Sequence, residues 1–231
     1  MSKDLKVYYK DRWRIYCGGK FKESVLFLIV SLFLPLMCAV GEPRFVQNGA
    51  WPLGLESDFS VPTDNPVTRS KVILGKRLFF DKRLSKDETV SCASCHDPAH
   101  GFSNGKTVGV GVLNLKGSRN VPSIINRLFG KSQFWDGRSE TLESQALLPL
   151  LNPNEMAITE ELLLEKLKKD IIYQKLFQDA FDTEPTLEGV GKAIASFERT
   201  LLSGSTPFDY YEWNGEKDVL SESAMRGLVL F

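Results

Sequence analysis

One short run, CASCH at residues 92–96, constrains this chain more than any other feature of its sequence. Two cysteines three positions apart, followed at once by a histidine, form the C-x-x-C-H pattern through which c-type haem is attached. The two thiols reach the two vinyl groups of one porphyrin, and the histidine lies under the iron as an axial ligand. We therefore predict a covalently bound haem c, attached at Cys92 and Cys95, with His96 as the iron ligand.

Two other interpretations of the motif fit the sequence less well. A zinc site needs two more ligands, and after residue 41 the chain offers only His100 as a further histidine or cysteine. A thioredoxin-like redox motif belongs in a β-α-β context, and no strand-like alternation of any length appears in the sequence. Haem attachment remains the prediction.

Length and composition describe a globular protein with no nucleic-acid partner. The 231 residues suit one large domain or two small ones, and 42% apolar with 25% charged residues is an ordinary globular balance. Lys and Arg total 29, as do Asp and Glu, so the chain has no basic excess that would favour DNA or RNA.

The first 41 residues differ from the rest of the chain. A basic segment precedes an almost wholly apolar run at residues 25–40, which is shorter than the roughly 20 residues of a membrane span. This order predicts a secretory signal peptide, with Ala39-Val40-Gly41 as the cleavage site, or else an uncleaved N-terminal anchor. In both cases we expect the globular part to be exported, which places it in the periplasm.

The exported part shows helical periodicity and long loops, so the fold class is all-α: a cytochrome c-like haem domain with long loops, preceded by the signal or anchor segment. The predicted helices cover residues 68–80, 140–148, 160–181, 186–202 and a segment that Ser221 begins. Their predicted core residues are Val72, Leu74, Leu78 and Phe79 in the first helix and Leu163, Leu167, Ile171 and Phe177 in the third.

We divide the chain into four parts. Residues 1–41 are the signal or anchor, and 42–66 form an extended strap rich in Pro and Gly. Residues 67–215 form the haem domain, which includes a long glycine-rich loop at 97–122 of the kind that surrounds a functional group. Residues 216–231 begin a further domain.

An electron carrier and a catalyst differ in whether a protein residue binds the iron on the face opposite His96. An electron carrier needs a strong sixth ligand, usually Met or His. His100 is too close to His96 in sequence to cross the haem plane easily, which leaves Met156 and Met225 as candidates. An iron without a sixth protein ligand is open to peroxide and would favour catalysis.

Six runs in order resemble the bacterial di-haem cytochrome c peroxidases, including relatives that act in methylamine utilisation. The resemblance covers about residues 66–231. The runs are LGKRLFFD (74–81), CASCH (92–96), RNVPS (119–123), FWDGR (134–138), NPNEM (152–156) and FERTLLSG followed by PFD (197–209). FWDGR followed by NPNEM is far more specific than the haem motif alone.

The resemblance implies roles for individual residues. His96 resembles the proximal ligand of the peroxidatic haem. Gln145 and Glu155 resemble the distal polar pair beside bound peroxide, with Pro149 nearby. Their chemistry agrees, because a carboxylate can move a proton between the two peroxide oxygens and an amide can orient the substrate. The loop at residues 101–119 has no histidine, whereas many relatives carry a distal histidine there, and in this the chain resembles the members whose iron is always open.

The resemblance also implies features that reach beyond this haem. Trp135 resembles the aromatic residue between the two haems on the electron path, and Asn120 resembles a ligand of the calcium ion between the haem domains. Relatives carry a second C-x-x-C-H haem, and the match to its first helix stops at residues 220–231. We therefore expect the chain to be part of a longer di-haem protein, whose relatives often form homodimers.

The resemblance implies an enzyme that reduces hydrogen peroxide to water with electrons from a small redox protein, such as a cytochrome c or a cupredoxin. Three alternatives stay open. The same site could oxidise a partner protein, as in methylamine utilisation. The chain could be a single-haem electron carrier with Met156 or Met225 on the iron. It could also bind haem and turn nothing over.

Overall fold

The computed structural model describes residues 51–231, and in that range the fold is entirely helical. The α-helices are α1 (Arg69–Phe80), α2 (Cys92–Cys95), α3 (Leu142–Leu151), α4 (Glu160–Lys169), α5 (Ile171–Phe181), α6 (Leu187–Glu198), α7 (Pro207–Asn214) and α8 (Glu222–Leu230). Between residues 51 and 231 no strand forms, and β pairing is limited to isolated bridges in the loops. The all-α prediction is confirmed for this range.

The predicted signal or anchor, its cleavage site and the first part of the strap lie outside the described residues. The rest of the strap, residues 51–66, contains no helix. Trp51 stacks on Phe59 at a ring-centroid distance of 5.1 Å, and both rings contact Phe129 edge-on. From residue 51 onward, no helix has the length and apolar content needed to cross a membrane.

Helix α1 forms where the sequence predicts it. The Thr68 hydroxyl accepts a hydrogen bond from the Lys71 backbone N–H and so caps the first turn. The predicted core residues of this helix, Val72, Leu74, Leu78 and Phe79, are all buried.

The single helix predicted at 160–181 is wrong, because the chain breaks at Asp170. This residue takes an extended conformation, and its carboxylate accepts a hydrogen bond from the Ile172 N–H. It therefore ends α4 and caps α5. The break rotates Ile171 away from the core, where it is 72% exposed, and corrects its predicted burial. The other predicted core residues of this region are buried: Leu163, Leu167 and Phe177.

The remaining helices form with shifted ends. Helix α3 begins two residues later than predicted, because Thr141 accepts from the Ser144 N–H, and it continues to Leu151. Helix α6 ends at Glu198 rather than near residue 202. There the Thr200 hydroxyl donates to the Phe197 carbonyl, and the Leu201 carbonyl accepts from the Asn126 N–H. Helix α8 begins after Ser221 as predicted, and its side chains are largely exposed.

Helix α6 forms the centre of the core, with α1 and α3 packed closely on it. A Cβ atom at Gly75 of α1 would lie 1.9 Å from the carbonyl oxygen of Ala193 in α6. A Cβ atom at Gly191 of α6 would lie 2.7 Å from the carbonyl oxygen of Glu143 in α3. Because neither distance is compatible with a side chain, the two crossings require glycine.

A buried ion pair joins α3 to the end of α6. Arg199 donates to both carboxylate oxygens of Glu143, at 2.6 and 3.1 Å. Asn65 donates to the same carboxylate at 2.6 Å and accepts from the ammonium of Lys71 at 3.0 Å. Burial raises the pKa of Glu143, but the hydrogen bonds from Arg199 and Asn65 outweigh it and hold the pKa below its usual range. The carboxylate is therefore ionised at neutral pH.

We expect Gly75→Ala to destabilise the fold by about 3 kcal/mol, the upper part of the range for overpacking, because the new methyl group meets backbone rather than a movable side chain. Gly227→Ala is the matched control, since a Cβ atom there meets nothing within 4 Å. Because Gly227 lies inside α8, this control should gain up to about 1 kcal/mol of helix stability. Urea unfolding followed by circular dichroism measures both changes. Equal stability of the two variants would contradict the close crossing.

Candidate haem-binding site

The haem-attachment motif folds as the one-turn helix α2, which brings its two thiols to one wall of a cavity. The turn is closed by the Ser91 N–H, which donates to the Ser94 hydroxyl at 2.9 Å. Cys92 and Cys95 are free and partly buried. Burial raises the pKa of both thiols, that of Cys92 to about 12, so both are neutral at pH 7. In the part of the chain that the structure describes, no group of three or more His, Cys, Asp or Glu side chains could hold a metal ion.

His96 is oriented by a hydrogen bond to the loop that follows the motif. Its Nδ1 lies 3.0 Å from the carbonyl oxygen of Phe102. A carbonyl only accepts, so Nδ1 carries the proton and Nε2 keeps its lone pair for a metal. Burial lowers the pKa of His96 and keeps the ring neutral. The Phe102 N–H donates in turn to the Asp97 carbonyl at 2.8 Å, which fixes this loop against the motif.

The cavity is partly open to solvent, and the space inside it that water can occupy is about 60 Å³. Five parts of the chain line it: the haem motif with the two residues before it, the glycine-rich loop, α3, the NPNEM turn and α6. The lining residues are Val90, Ser91, Cys92, Cys95, His96, Val110, Gly111, Gln145, Ala146, Pro149, Glu155, Met156, Ile194 and Glu198.

The structure brings the predicted distal residues to the same cavity as the haem motif. Gln145 and Pro149 lie one turn apart on one face of α3. The NPNEM turn then folds back, since the Met156 N–H donates to the Pro149 carbonyl at 3.1 Å. Glu155 is thereby placed at the cavity wall, where its own carbonyl accepts from the Val112 N–H at 2.8 Å.

The carboxyl of Glu155 is half-buried and hydrogen-bonded. It accepts from the side-chain amide of Asn152 at 2.7 Å. Burial raises its pKa above the ordinary value, although the Asn152 hydrogen bond and the charge of Arg138 act in the opposite direction. A carboxyl group with a raised pKa exchanges protons more readily near neutral pH, which suits acid–base work.

Glu198 is a cavity residue that the sequence analysis missed. Only 5% of its surface is exposed, and its Oε2 atom has no hydrogen-bond partner within residues 51–231. Burial raises its pKa to about 7, against the opposing charges of Arg199 and Arg127. Its spacing was an available signal, because Glu198 follows the core residue Ile194 by four positions and so shares its helix face.

Trp135 and Asn120 lie together, but not in the cavity. The Trp135 indole is 65% exposed, and its N–H donates to the Asn120 carbonyl at 3.0 Å. The Asn120 side-chain amide donates to the Lys106 carbonyl at 2.8 Å. These two predicted residues therefore form a surface feature separate from the cavity, and their proposed roles depend on groups outside the described residues.

Asp136 organises the FWDGR loop around Trp135. Its carboxylate contacts Arg119 at 2.8 Å and Arg138 at 2.9 Å, and these two partners lower its pKa to about 2. The Arg138 guanidinium also lies 3.5 Å from the centroid of the Phe134 ring. Two ion pairs and one cation–π contact therefore hold the FWDGR loop in place.

The cavity residues fit a c-type haem. Two neutral thiols, three positions apart, and the imidazole of His96 line one space, as the attachment chemistry requires. Glu198, whose Oε2 atom has no hydrogen-bond partner among the described residues, lines the same space, and buried polar atoms without partners are rare in folded proteins. A bound group with polar atoms at its edge, beside Glu198, would explain why this oxygen has no partner in the protein. Met156 also lines the cavity, whereas Met225 lies on α8.

Known proteins resemble this chain over most of its described length. "Methylamine utilization protein MauG" of Methylorubrum extorquens is 42% identical over 172 residues, which are 74% of this chain and 48% of the relative. "Cytochrome c peroxidase Ccp" of Escherichia coli is 38% identical over 74% of this chain and 37% of its own length. The chain thus spans about half or less of these curated relatives.

Solved structures show the same fold. A MauG-like protein associated with microbial copper homeostasis matches with a TM-score of 0.70 and 34% identity, over 78% of this chain and 55% of the other. The di-haem peroxidase BthA of Burkholderia thailandensis matches with a TM-score of 0.63 and 26% identity, over 75% and 49%.

The family model described as di-haem cytochrome c peroxidase matches residues 69–218, which include the haem motif, the distal residues and Glu198. The chain belongs to the di-haem cytochrome c peroxidase family.

Proposed function

We propose that this chain is the peroxidatic haem part of an exported peroxidase that reduces hydrogen peroxide to water. One observation carries the proposal: the haem-attachment residues Cys92, Cys95 and His96 share a single cavity with Gln145 and Glu155. A haem held there has polar proton-transfer groups within the same walls, which an electron carrier does not need.

In this proposal Cys92 and Cys95 would form thioether bonds to the porphyrin, and His96 would hold the iron through Nε2. The haem supplies the redox chemistry when bound. Two electrons and two protons convert one hydrogen peroxide into two waters. The protein contributes the cavity, the orientation of His96 by the Phe102 carbonyl, and the groups that move protons.

The proton transfer falls to Glu155 in this account. Cleavage of the O–O bond requires a proton to leave one peroxide oxygen and reach the other, so that the second oxygen departs as water. The carboxylate of Glu155 accepts the first proton and returns it, while the hydrogen bond from Asn152 keeps the carboxyl in place. The amide of Gln145 orients the peroxide and stabilises developing charge.

Some predicted roles concern residues outside this cavity and require the rest of a longer di-haem protein. We infer that Trp135 lies on the electron path from a second haem and that Asn120 is a calcium ligand between haem domains. Electrons come from a small donor such as a cytochrome c or a cupredoxin, and the enzyme acts in the periplasm as a homodimer. The exposed position of Trp135 beside Asn120 supports their place at a domain boundary.

Two alternative functions would use the same cavity in different ways. An oxidase of a partner protein, as the methylamine-utilisation relatives suggest, would react with peroxide and pass the oxidation onward rather than consume a donor's electrons. An electron carrier would place the buried sulfur of Met156 on the iron. Peroxide turnover with reduced cytochrome c separates the peroxidase from both.

We expect Cys92→Ala to remove one thioether bond and Cys92→Ala with Cys95→Ala to remove all covalent haem, because these are the thiols in the cavity. Ser132→Ala, at an exposed position outside the cavity, should keep normal attachment. Mass spectrometry of the denatured chain measures the haem adduct. Normal covalent attachment in the double variant would refute the proposed site.

We expect Glu155→Gln to slow the peroxide step by about 10²- to 10⁴-fold, the usual effect of a general acid–base group. Glu140→Gln is the matched control, because Glu140 is exposed and lies outside the cavity. Stopped-flow mixing of the haem-loaded protein with hydrogen peroxide measures the rate. Similar rates in the two variants would show that Glu155 is not the acid–base group of the peroxide step.

The rate of the peroxide step should depend on pH through the titration of Glu155. As a base it must be ionised, so we expect the rate to fall with decreasing pH through a pKa above the ordinary 4.5. This acidic limb should disappear in Glu155→Gln and persist in Glu198→Gln, which tests the other buried carboxyl of the cavity. The reverse pattern would assign the titration to Glu198 instead.

A further inference from the structure

Glu198 is a buried carboxyl group without a counter-ion, and it lines the same cavity as the haem-attachment residues. Its Oε2 atom has no hydrogen-bond partner within residues 51–231, and no ion pair between residues of that range includes Glu198. A buried carboxylate in this situation is costly, because neither water nor a cation stabilises its charge. The proton transfer assigned to Glu155 does not use this group, so its presence in the cavity requires another explanation.

Two guanidinium groups act on Glu198 through their charge, but both are bound to other partners. Arg199 donates to the two carboxylate oxygens of Glu143, at 2.6 and 3.1 Å. Arg127 donates to the side-chain oxygen of Gln133 at 2.6 Å. Their charges lower the pKa of Glu198, whereas burial, the larger effect, raises it to about 7. Glu198 is therefore divided between its neutral and its ionised form near neutral pH.

The other ionisable groups around Glu198 contribute little to this balance. Three groups of the cavity wall are neutral at pH 7: Cys92, Cys95 and His96. The carboxyl of Glu155 is held by the amide of Asn152 at 2.7 Å. Glu143, on α3, adds a negative charge that raises the pKa of Glu198 slightly, and Arg199 neutralises that charge. A new charge inside the cavity would therefore change the protonation of Glu198 directly.

We propose that Glu198 is a redox-linked proton site, which takes up one proton when the haem in this cavity is reduced and releases it when the haem is oxidised. The proposal rests on the proposed haem site. Ferric iron has one more positive charge than ferrous iron, and a nearby positive charge favours the ionised carboxylate. Reduction removes that charge, and burial then favours the neutral acid.

The coupled step is balanced in electrons and protons. One electron reduces the iron, and one proton from solvent converts the Glu198 carboxylate into a carboxylic acid, while no other bond changes. The cavity is partly open to solvent, so water can supply the proton. Reduction of one hydrogen peroxide to two waters consumes two electrons and two protons. Glu198 would keep one of these protons in the cavity until peroxide oxidises the haem, whereas Glu155 moves a proton within peroxide and consumes none.

The test is a redox titration of the haem-loaded chain, in which haem absorbance is recorded against applied potential on both sides of neutral pH. We expect the midpoint potential to fall as the pH rises through neutrality, because ionised Glu198 stabilises the ferric haem. The expected total change is about tenfold in the equilibrium constant for reduction, which is about 59 mV for one electron.

Substitutions at Glu198 separate its charge from its volume. Glu198→Gln keeps a similar volume but does not titrate, so it should lose this pH dependence. Its potential should equal that of the wild type at acidic pH and exceed it at alkaline pH. Glu198→Asp keeps a carboxyl group and should retain the dependence. Glu140→Gln is the matched control, because Glu140 is exposed and lies outside the cavity, and it should behave as the wild type does.

Infrared difference spectroscopy provides a second measurement that requires no turnover. The reduced-minus-oxidised spectrum of the wild type at neutral pH should gain the carbonyl band of a protonated carboxyl group. The same spectrum of Glu198→Gln should lack this band.

Several results would overturn the proposal. A pH-dependent potential that persists in Glu198→Gln would do so, and so would loss of the dependence in Glu155→Gln instead, which would assign the proton to Glu155. If Glu198→Gln fails to bind haem, the wild type decides, because a potential that is constant across neutral pH, or a spectrum without the carbonyl band, refutes the proton site. Absence of covalent haem in the wild type would count against the proposed function, so the two failures are distinguishable.

Discussion

Close backbone approach to the buried helix α6 is the constraint on which the rest of this structure depends. Gly75 lets α1 cross at Ala193, and Gly191 lets α3 approach at Glu143. These crossings bring two residues to the same cavity: Gln145 on α3 and Glu198 on α6. The buried pair of Glu143 and Arg199 then fixes α3 against the end of α6. A side chain in place of either glycine would separate these elements.

The resulting cavity contains both the residues that would attach the haem and the carboxyl groups that would transfer protons. The thiols are neutral, the imidazole is neutral and oriented, and the half-buried Glu155 and the buried Glu198 both have raised pKa values. Burial is the shared cause, because a low-dielectric wall disfavours every charged form. An environment of this kind favours exchange of protons near neutral pH and strengthens each hydrogen bond made inside it. The same burial would protect a haem from bulk water.

Local sequence signals predicted much of this, and the parts they missed have physical causes. The spacing of Leu74 and Leu78 predicted α1 correctly, and the family resemblance paired Gln145 and Glu155 with the haem motif whose cavity they line. The break at Asp170 was missed because apolar periodicity continues across it, whereas the extended conformation of Asp170 ends α4 and its side chain caps α5. Glu198 was missed because a carboxylate is usually exposed, so its spacing from Ile194 was only a weak signal of burial that tertiary packing of α6 produces.

The central claim is that one cavity holds the haem between His96 and the pair of Gln145 and Glu155. A crystal structure of the haem-loaded protein with bound cyanide, a small stand-in for peroxide, tests it most directly. The account predicts cyanide on the face opposite His96, within hydrogen-bonding distance of Glu155 or Gln145. The sulfur of Met156 on the iron, or a cyanide that faces neither side chain, would contradict it.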